Sequence, residues 1–175
     1  MDRIFLIGYM GTGKTTLGKA LASRLQYDFV DLDWYIENKI QQSISEYFSA
    51  NGEVSFRDLE NASLQELLTK ERVVIATGGG APCFLNNMSL MLAHGVVVYL
   101  EASYEVLFRR LRNAKNQRPI IKNKSEEELQ KFIIYSLSQR KVYYEKAQYK
   151  INSDNLETEE QLGETVEDLL KILNL

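Results

Sequence analysis

An apolar run, Ile4-Phe5-Leu6-Ile7, leads straight into Gly8-Tyr9-Met10-Gly11-Thr12-Gly13-Lys14-Thr15, and that junction restricts the fold more than any other feature of the chain. The segment fits G-x-x-x-x-G-K-[ST], the loop that wraps the phosphates of a nucleoside triphosphate. Glycines let the backbone turn sharply and aim successive N–H groups inward, which makes an anion-binding concavity. The run from Thr16 to Leu25 has helical spacing. A helix starting there adds unpaired N–H groups and the positive end of its dipole. The candidate phosphate contacts are Gly11, Thr12, Gly13, Lys14, Thr15 and Thr16. Lys14 can reach the β- and γ-phosphates, and the Thr15 hydroxyl can ligate Mg²⁺. Such a loop sits between a strand and a helix, so an α/β fold is expected.

Five short runs rich in β-branched or aromatic residues read as strands: Arg3–Ile7, Asp28–Leu32, Val73–Thr77, Val96–Leu100 and Tyr149–Asn152. Several are apolar at consecutive positions, as in strands covered on both faces of a parallel sheet. Helical spacing fills the intervals, with Leu17, Ala20, Leu21 and Leu25 on one face early, and Leu162, Val166, Leu169, Leu170 and Leu173 near the end. This alternation predicts a three-layer α/β domain with a central five-stranded parallel sheet and right-handed crossovers. A chain of 175 residues fits one such domain, spanning 1–175. Net charge is −3, so no basic field suggests a nucleic-acid partner. No apolar run approaches the ~18 residues of a membrane span. Cys83 is the lone cysteine, which fits a reducing compartment, and the first residues lack a signal-peptide layout. A cytoplasmic protein, monomeric and without nucleic-acid or membrane partners, is expected.

Two stretches break the alternation. The interval between Leu32 and Val73 is longer than one crossover helix requires, and its segment 34–62 is read as substrate-binding. Residues 112–124 hold five cations and no acid, and read as a mobile basic lid over the triphosphate. Phosphoryl transfer needs water excluded and γ-phosphate charge neutralised, which such a lid supplies.

Asp31 and Asp33 lie two apart at the end of the second strand, so their side chains point the same way if the strand continues through them. Ligands bind outside the carboxyl ends of parallel strands. One acid can hold Mg²⁺ through water, and the other can orient or deprotonate an attacking hydroxyl. Thr77-Gly78-Gly79-Gly80-Ala81 follows the third strand, and three consecutive glycines need a reason such as close backbone approach to a polar ligand. Ile44 and Phe48, four apart, read as helix packing. Arg57 is suited to a bidentate carboxylate contact. Glu60, one turn on, either fixes Arg57 or accepts a substrate hydroxyl. Arg140, on a helical stretch from Glu126 to about Ala147, can clamp an anion from the other side. Of Arg109 and Arg110, one can stack on adenine while the other faces solvent. His94 reads as a surface residue and Cys83 as a small packed hydrophobe.

Taken together, these segments resemble the shikimate kinase family of nucleoside monophosphate kinase-like enzymes. The motifs occur in order: GYMGTGKTTLG at Gly8–Gly18, DLD at Asp31–Asp33, I-x₃-F-x₃-GE-x₂-FR-x₂-E at Ile44–Glu60, GGGA at Gly78–Ala81, Arg118-Pro119, and R-x₂-Y-x₃-A at Arg140–Ala147. The resemblance implies a P-loop kinase domain that transfers the γ-phosphate of ATP to the 3-hydroxyl of shikimate, within aromatic amino-acid biosynthesis. It implies Lys14, Asp33 and Arg118 as catalytic, with Asp33 on the accepting hydroxyl and Arg118 swinging in with the lid. It places shikimate against Asp33, Arg57, Gly78, Gly79, Gly80 and Arg140, Mg²⁺ near Thr15 and Asp31, and adenine along Arg110. Further adenine contacts are expected around Ser153, Asp154 and Asn155, although the proline many members carry before the last helix is absent here. A gluconate-type small-molecule kinase is the alternative from the same class, and a non-catalytic nucleotide-binding regulator the alternative from another.

Overall fold

The computed structural model describes residues 2–114 and 119–175. The five strands form one parallel sheet: β1 (Arg3–Ile7), β2 (Asp28–Asp31), β3 (Val73–Ala76), β4 (Val96–Glu101) and β5 (Tyr149–Asn152). Their spatial order is β2-β3-β1-β4-β5. The chain therefore winds away from β1 in one direction through β2 and β3, then crosses back to build β4 and β5 on the other side. At that reversal the loops after β1 and β3 diverge and leave a crevice, the usual place for a ligand in such sheets.

Alternation along each buried strand makes the three layers. Ile4 and Leu6 of β1 face one side, where they pack with Leu17 and Leu21 of α1 (Lys14–Leu25) and Leu169 of α7 (Glu159–Leu173). Phe5 and Ile7 face the other side, beneath α2 (Leu32–Ile40), α3 (Ile44–Leu67), α4 (Asn87–His94), α5 (Tyr104–Asn113) and α6 (Glu126–Tyr144). Successive strand residues are thus both buried, the physical reason the strands read as unbroken apolar runs.

The long interval between β2 and β3 holds two helices. In α3 the backbone breaks at Gly52, whose φ of 80° and ψ of 174° no helix accommodates. Ser43 and Glu46 form a reciprocal cap that starts α3. The helix expected from Glu126 ends at Tyr144, three residues earlier than anticipated. Of the basic segment 112–124, the structure describes the end of α5 and a short 3₁₀ turn, Pro119–Ile121, with Ile121 buried. Arg118 lies outside the described residues.

Candidate active site

The phosphate loop is held open by its own backbone. Gly8, Gly11 and Gly13 all have positive φ, and a side chain on Gly8 would place its Cβ 2.5 Å from the Leu100 carbonyl oxygen. That contact, with the left-handed φ, admits glycine alone. The Thr12 hydroxyl donates to the Tyr9 carbonyl at 2.9 Å and braces the turn. Lys14 Nζ donates to the carbonyls of Gly8 and Tyr9, both at 2.8 Å. Its ammonium is therefore stationed at the loop, at the start of α1.

Asp31 and Asp33 come together by a different route from the one expected. The strand stops at Asp31, because the Asp31 carboxylate turns back to cap α2, accepting from the backbone N–H of Asp33 at 3.1 Å and of Trp34 at 3.4 Å. Asp33 occupies the first turn of that helix rather than an extended strand. Both acids still line the cleft. The second Asp31 oxygen accepts from the Thr15 hydroxyl at 2.7 Å. That bond engages the Thr15 proton and leaves the oxygen lone pairs for a cation. No group of three or more His, Cys, Asp or Glu among the described residues is arranged to hold a metal. The donor set fits Mg²⁺ shared with phosphate oxygens and water, since Mg²⁺ keeps several waters and uses one or two protein ligands.

Burial raises the Asp33 carboxyl to about pH 6, and the neighbouring Asp31 charge adds to the rise. Lys14 pulls the other way. A carboxyl with a pKa near 6 is mostly ionised at neutral pH yet basic enough to take a proton from a hydroxyl as it attacks.

At Gly78 and Gly80 the glycine triplet leaves no room for a side chain, while a Cβ on Gly79 would come closest to the Met10 backbone nitrogen, at 3.3 Å. A Cβ on Gly78 would sit 2.7 Å from Asp33 Oδ1, on Gly79 3.4 Å from Arg140 Nη1, and on Gly80 2.8 Å from Arg57 Nη2. Three charged side chains, from α2, α6 and α3, thus rest on three successive glycines. The loop is a floor for charged groups, and its backbone borders the same cleft.

Arg57 is cross-braced from its own helix, donating to Glu60 at 2.9 Å and to Glu53 at 3.1 Å. Its guanidinium lies 3.9 Å from the Phe84 ring centroid. Glu60 is 1% exposed, so the i,i+3 pair is an internal one rather than a surface ion pair. Burial lifts the Glu60 carboxyl to about pH 7 against the pull of Arg57. Arg140 lies over the Tyr9 ring at 5.8 Å. The helix that carries it is tied down at two points the sequence did not reveal. The Tyr9 and Ser136 hydroxyls are hydrogen-bonded at 2.5 Å, and the Tyr144 hydroxyl donates to the Gly79 carbonyl at 2.5 Å. Tyr144 is fully buried, although its neighbour Tyr143 is the tyrosine of the R-x₂-Y pattern. Nothing in the sequence distinguishes the two without the helix phase.

At the other end, Arg110 and Arg109 differ in exposure. Arg110 is mostly buried and lines the cleft, while Arg109 is half-exposed and pairs with Glu157. The Ser153 and Asp154 carbonyls accept from Arg110 at 3.0 Å each, and Asn155 does not line the cleft. Leu156 and Glu157 form the wall instead. Leu156 packs over Gly13, where a Cβ would lie 2.6 Å from its Cδ1. Ile44 and Phe48 pack against the core, as expected of helix residues, and also line the cleft. The exposed Trp34 was not singled out in the sequence, yet it lies at the same cleft with Lys19 Nζ 4.8 Å from its ring centroid. Cys83 is partly buried, and loss of hydration pushes its thiol up to about 11. His94 is exposed, with Nδ1 2.9 Å from the Leu90 carbonyl oxygen.

Lys14, Asp31, Asp33, Arg57, Glu60, the Gly78–Gly80 loop, Arg110, Arg140 and Leu156 border one cleft of about 1180 Å³. Its phosphate loop lies between a wall of Arg110, Leu156 and Glu157 and a pocket holding Asp33, Arg57 and Arg140.

Comparison with known proteins gives the same picture. Residues 10–171 match the profile of the family described as shikimate kinase. A shikimate kinase of Bacteroides thetaiotaomicron is 51% identical over 175 residues, covering 100% of both chains. One from Thermodesulfovibrio yellowstonii is 40% identical over 174 residues, covering 99% of this chain and 98% of its own. Among solved structures, shikimate kinase from Bacteroides thetaiotaomicron superposes with a TM-score of 0.97 over 99% of this chain and 98% of its own, at 51% identity. Shikimate kinase from Acinetobacter baumannii in complex with shikimate has a TM-score of 0.86 at 33% identity, covering 99% and 94%.

Proposed function

The chain belongs to the shikimate kinase family, and on that premise we propose that it transfers the γ-phosphoryl group of ATP to the 3-hydroxyl of shikimate, giving shikimate 3-phosphate and ADP. The observation that carries this reading is the seating of Asp33, Arg140 and Arg57 on Gly78, Gly79 and Gly80, beside the phosphate loop. That arrangement offers two cations for one carboxylate and one carboxylate for a hydroxyl. A cyclic hydroxy acid is the acceptor it suits.

Arg57 and Arg140 hold the shikimate carboxylate, and the Gly79 and Gly80 backbone adds contacts. Asp33 accepts the hydrogen bond of the 3-hydroxyl and takes its proton as the new O–P bond forms and the bond to the β-phosphate oxygen breaks. Lys14 and the N–H groups of Gly11–Thr16 neutralise charge on the phosphates. Thr15 and, through water, Asp31 would hold Mg²⁺, which would supply further charge neutralisation. Arg118 comes to the transferring phosphate with the lid formed by 112–124, and Arg110 lies along the adenine. Positioning and charge neutralisation are the main contributions a protein makes to phosphoryl transfer.

No helix among the described residues is long and apolar enough to cross a membrane. The net charge of −3 offers no general attraction for nucleic acid. We take the protein as a cytoplasmic monomer acting on small molecules. The test is ADP release with Mg·ATP, comparing shikimate with gluconate at equal concentration. Saturable turnover with shikimate alone supports the reading; turnover with gluconate and none with shikimate would reassign the acid pocket, and ATP binding without turnover of either would favour a regulator.

A further inference from the structure

Arg110 is held by more hydrogen bonds than contact with a base requires. Its Nη1 donates to the carbonyls of Gly11 at 3.2 Å and Ser153 at 3.0 Å, and its Nη2 to that of Asp154 at 3.0 Å. Those three acceptors fix one edge of the guanidinium. The remaining edge, Nε, donates to Glu157 Oε1 at 3.0 Å, and the same oxygen accepts from Arg109 Nη2 at 3.1 Å. Glu157 and Arg110 both line the cleft, beside Leu156.

A planar cation stacks on a π ring only when its face is presented. Bonds from the two Nη atoms and the covalent Nε–Cδ link hold the group on two sides, and the Nε–H bond to Glu157 adds a contact on the remaining edge. We propose that Glu157 is a positioning residue for the base end of the nucleotide: it sets the plane of the Arg110 guanidinium, and through it the affinity for the purine ring, while the phosphate grip is left to the loop. The inference rests on the reading that Arg110 lies along the adenine.

Three features support this role over a merely structural one. The Glu157 side chain is half-exposed, and an ion pair in that setting adds little to stability. Arg110 is already anchored to the phosphate loop and to the turn before α7 by backbone carbonyls, so Glu157 is not needed to hold the loops together. The hydrogen bond from Arg110 holds the Glu157 carboxyl below its ordinary pKa, so it is an acceptor across the working pH range.

The test is calorimetric titration of ADP and of inorganic tripolyphosphate, each with Mg²⁺, into the wild type and three variants. Glu157→Ala is expected to weaken ADP binding about five- to tenfold and to leave tripolyphosphate within about twofold. Glu157→Gln, whose amide oxygen still accepts an N–H, should fall between wild type and Ala. Arg109→Ala, which removes the other partner of Glu157, should change neither ligand. Equal weakening of both ligands by Glu157→Ala, or undiminished ADP binding, would overturn the assignment. Failure of the underlying functional reading shows separately, as absence of shikimate turnover in the wild type, because the titrations need no acceptor.

Discussion

The two ends of the cleft are built on opposite plans. One end, the phosphate loop, is a continuous stretch of chain from Gly8 to Thr16, with one lysine bonded to its carbonyls. The other end is assembled from side chains on α2, α3 and α6, which approach successive glycines of one loop. A backbone site is specified locally and tolerates little but glycine at its turns. A side-chain site is specified by packing, and its weak points lie wherever one helix is tied to another.

The largest expected effect falls where the two ends meet. Asp33→Asn should lower kcat by roughly 10²–10⁴-fold, the usual contribution of a positioned base, while the Kd for ATP stays within about twofold. Parallel loss of ATP affinity would show that Asp33 belongs to the phosphate end and would break the division. Arg57→Ala comes next. It should raise KM for shikimate by about 10- to 150-fold, the value of a charge-assisted hydrogen bond, with KM for ATP little changed. Replacing Glu60 by Gln in that background should restore stability without restoring KM, because it removes the stranded buried acid and not the missing guanidinium.

Gly80→Ala tests whether the floor matters apart from the charges on it. The new Cβ would lie 2.8 Å from Arg57 Nη2 and displace it. KM for shikimate should rise about tenfold with the ATP terms unchanged, as expected when a charge-assisted contact is loosened rather than lost. An unaltered KM would mean that Arg57 relaxes freely and that the floor does not set its place.

The pH profile sharpens the comparison further. With Asp33 acting as the proposed base, kcat/KM should rise with pH through an apparent pKa of about 6 and fall away below it. Asp31 is one cause of that raised value, so Asp31→Asn should move the acid limb to lower pH, whatever it does to the maximum rate. The smallest effect is on stability. Glu60 titrates at about 7 in the folded protein against 4.5 ordinarily, so the folded state binds more protons than the unfolded chain between those values. Its contribution is greatest below about pH 4.5 and is lost as pH rises through 7. Glu60→Gln should therefore flatten Tm across that window, and an unchanged slope would assign the dependence to other groups.

All five strands lie within a residue of their sequence-based limits, and in β1, β3 and β4 the reason is that apolar runs have few alternatives to a doubly covered sheet. The phosphate loop and its lysine were likewise legible, since the glycines, the lysine and the following helix are neighbours in sequence. The path between Asp31 and Asp33 was not. An aspartate at a strand end can continue the strand or cap a helix, and only the contacts of its carboxylate decide. The partners of Arg110 were also hidden, because carbonyls that serve as acceptors leave no trace in residue identity.

By itself, the sequence determined the layer order, the anion-binding turn and the residue types available to the chemistry, all of which depend on local spacing and hydrophobic period. The tertiary structure alone decided which of Arg109 and Arg110 is buried against the loops, which tyrosine anchors α6, which charged groups approach Gly78 and Gly80 and how far burial lifts Asp33 and Glu60. Those properties depend on distances between groups far apart in the chain and on the water each group loses, and neither exists until the helices have closed over the sheet.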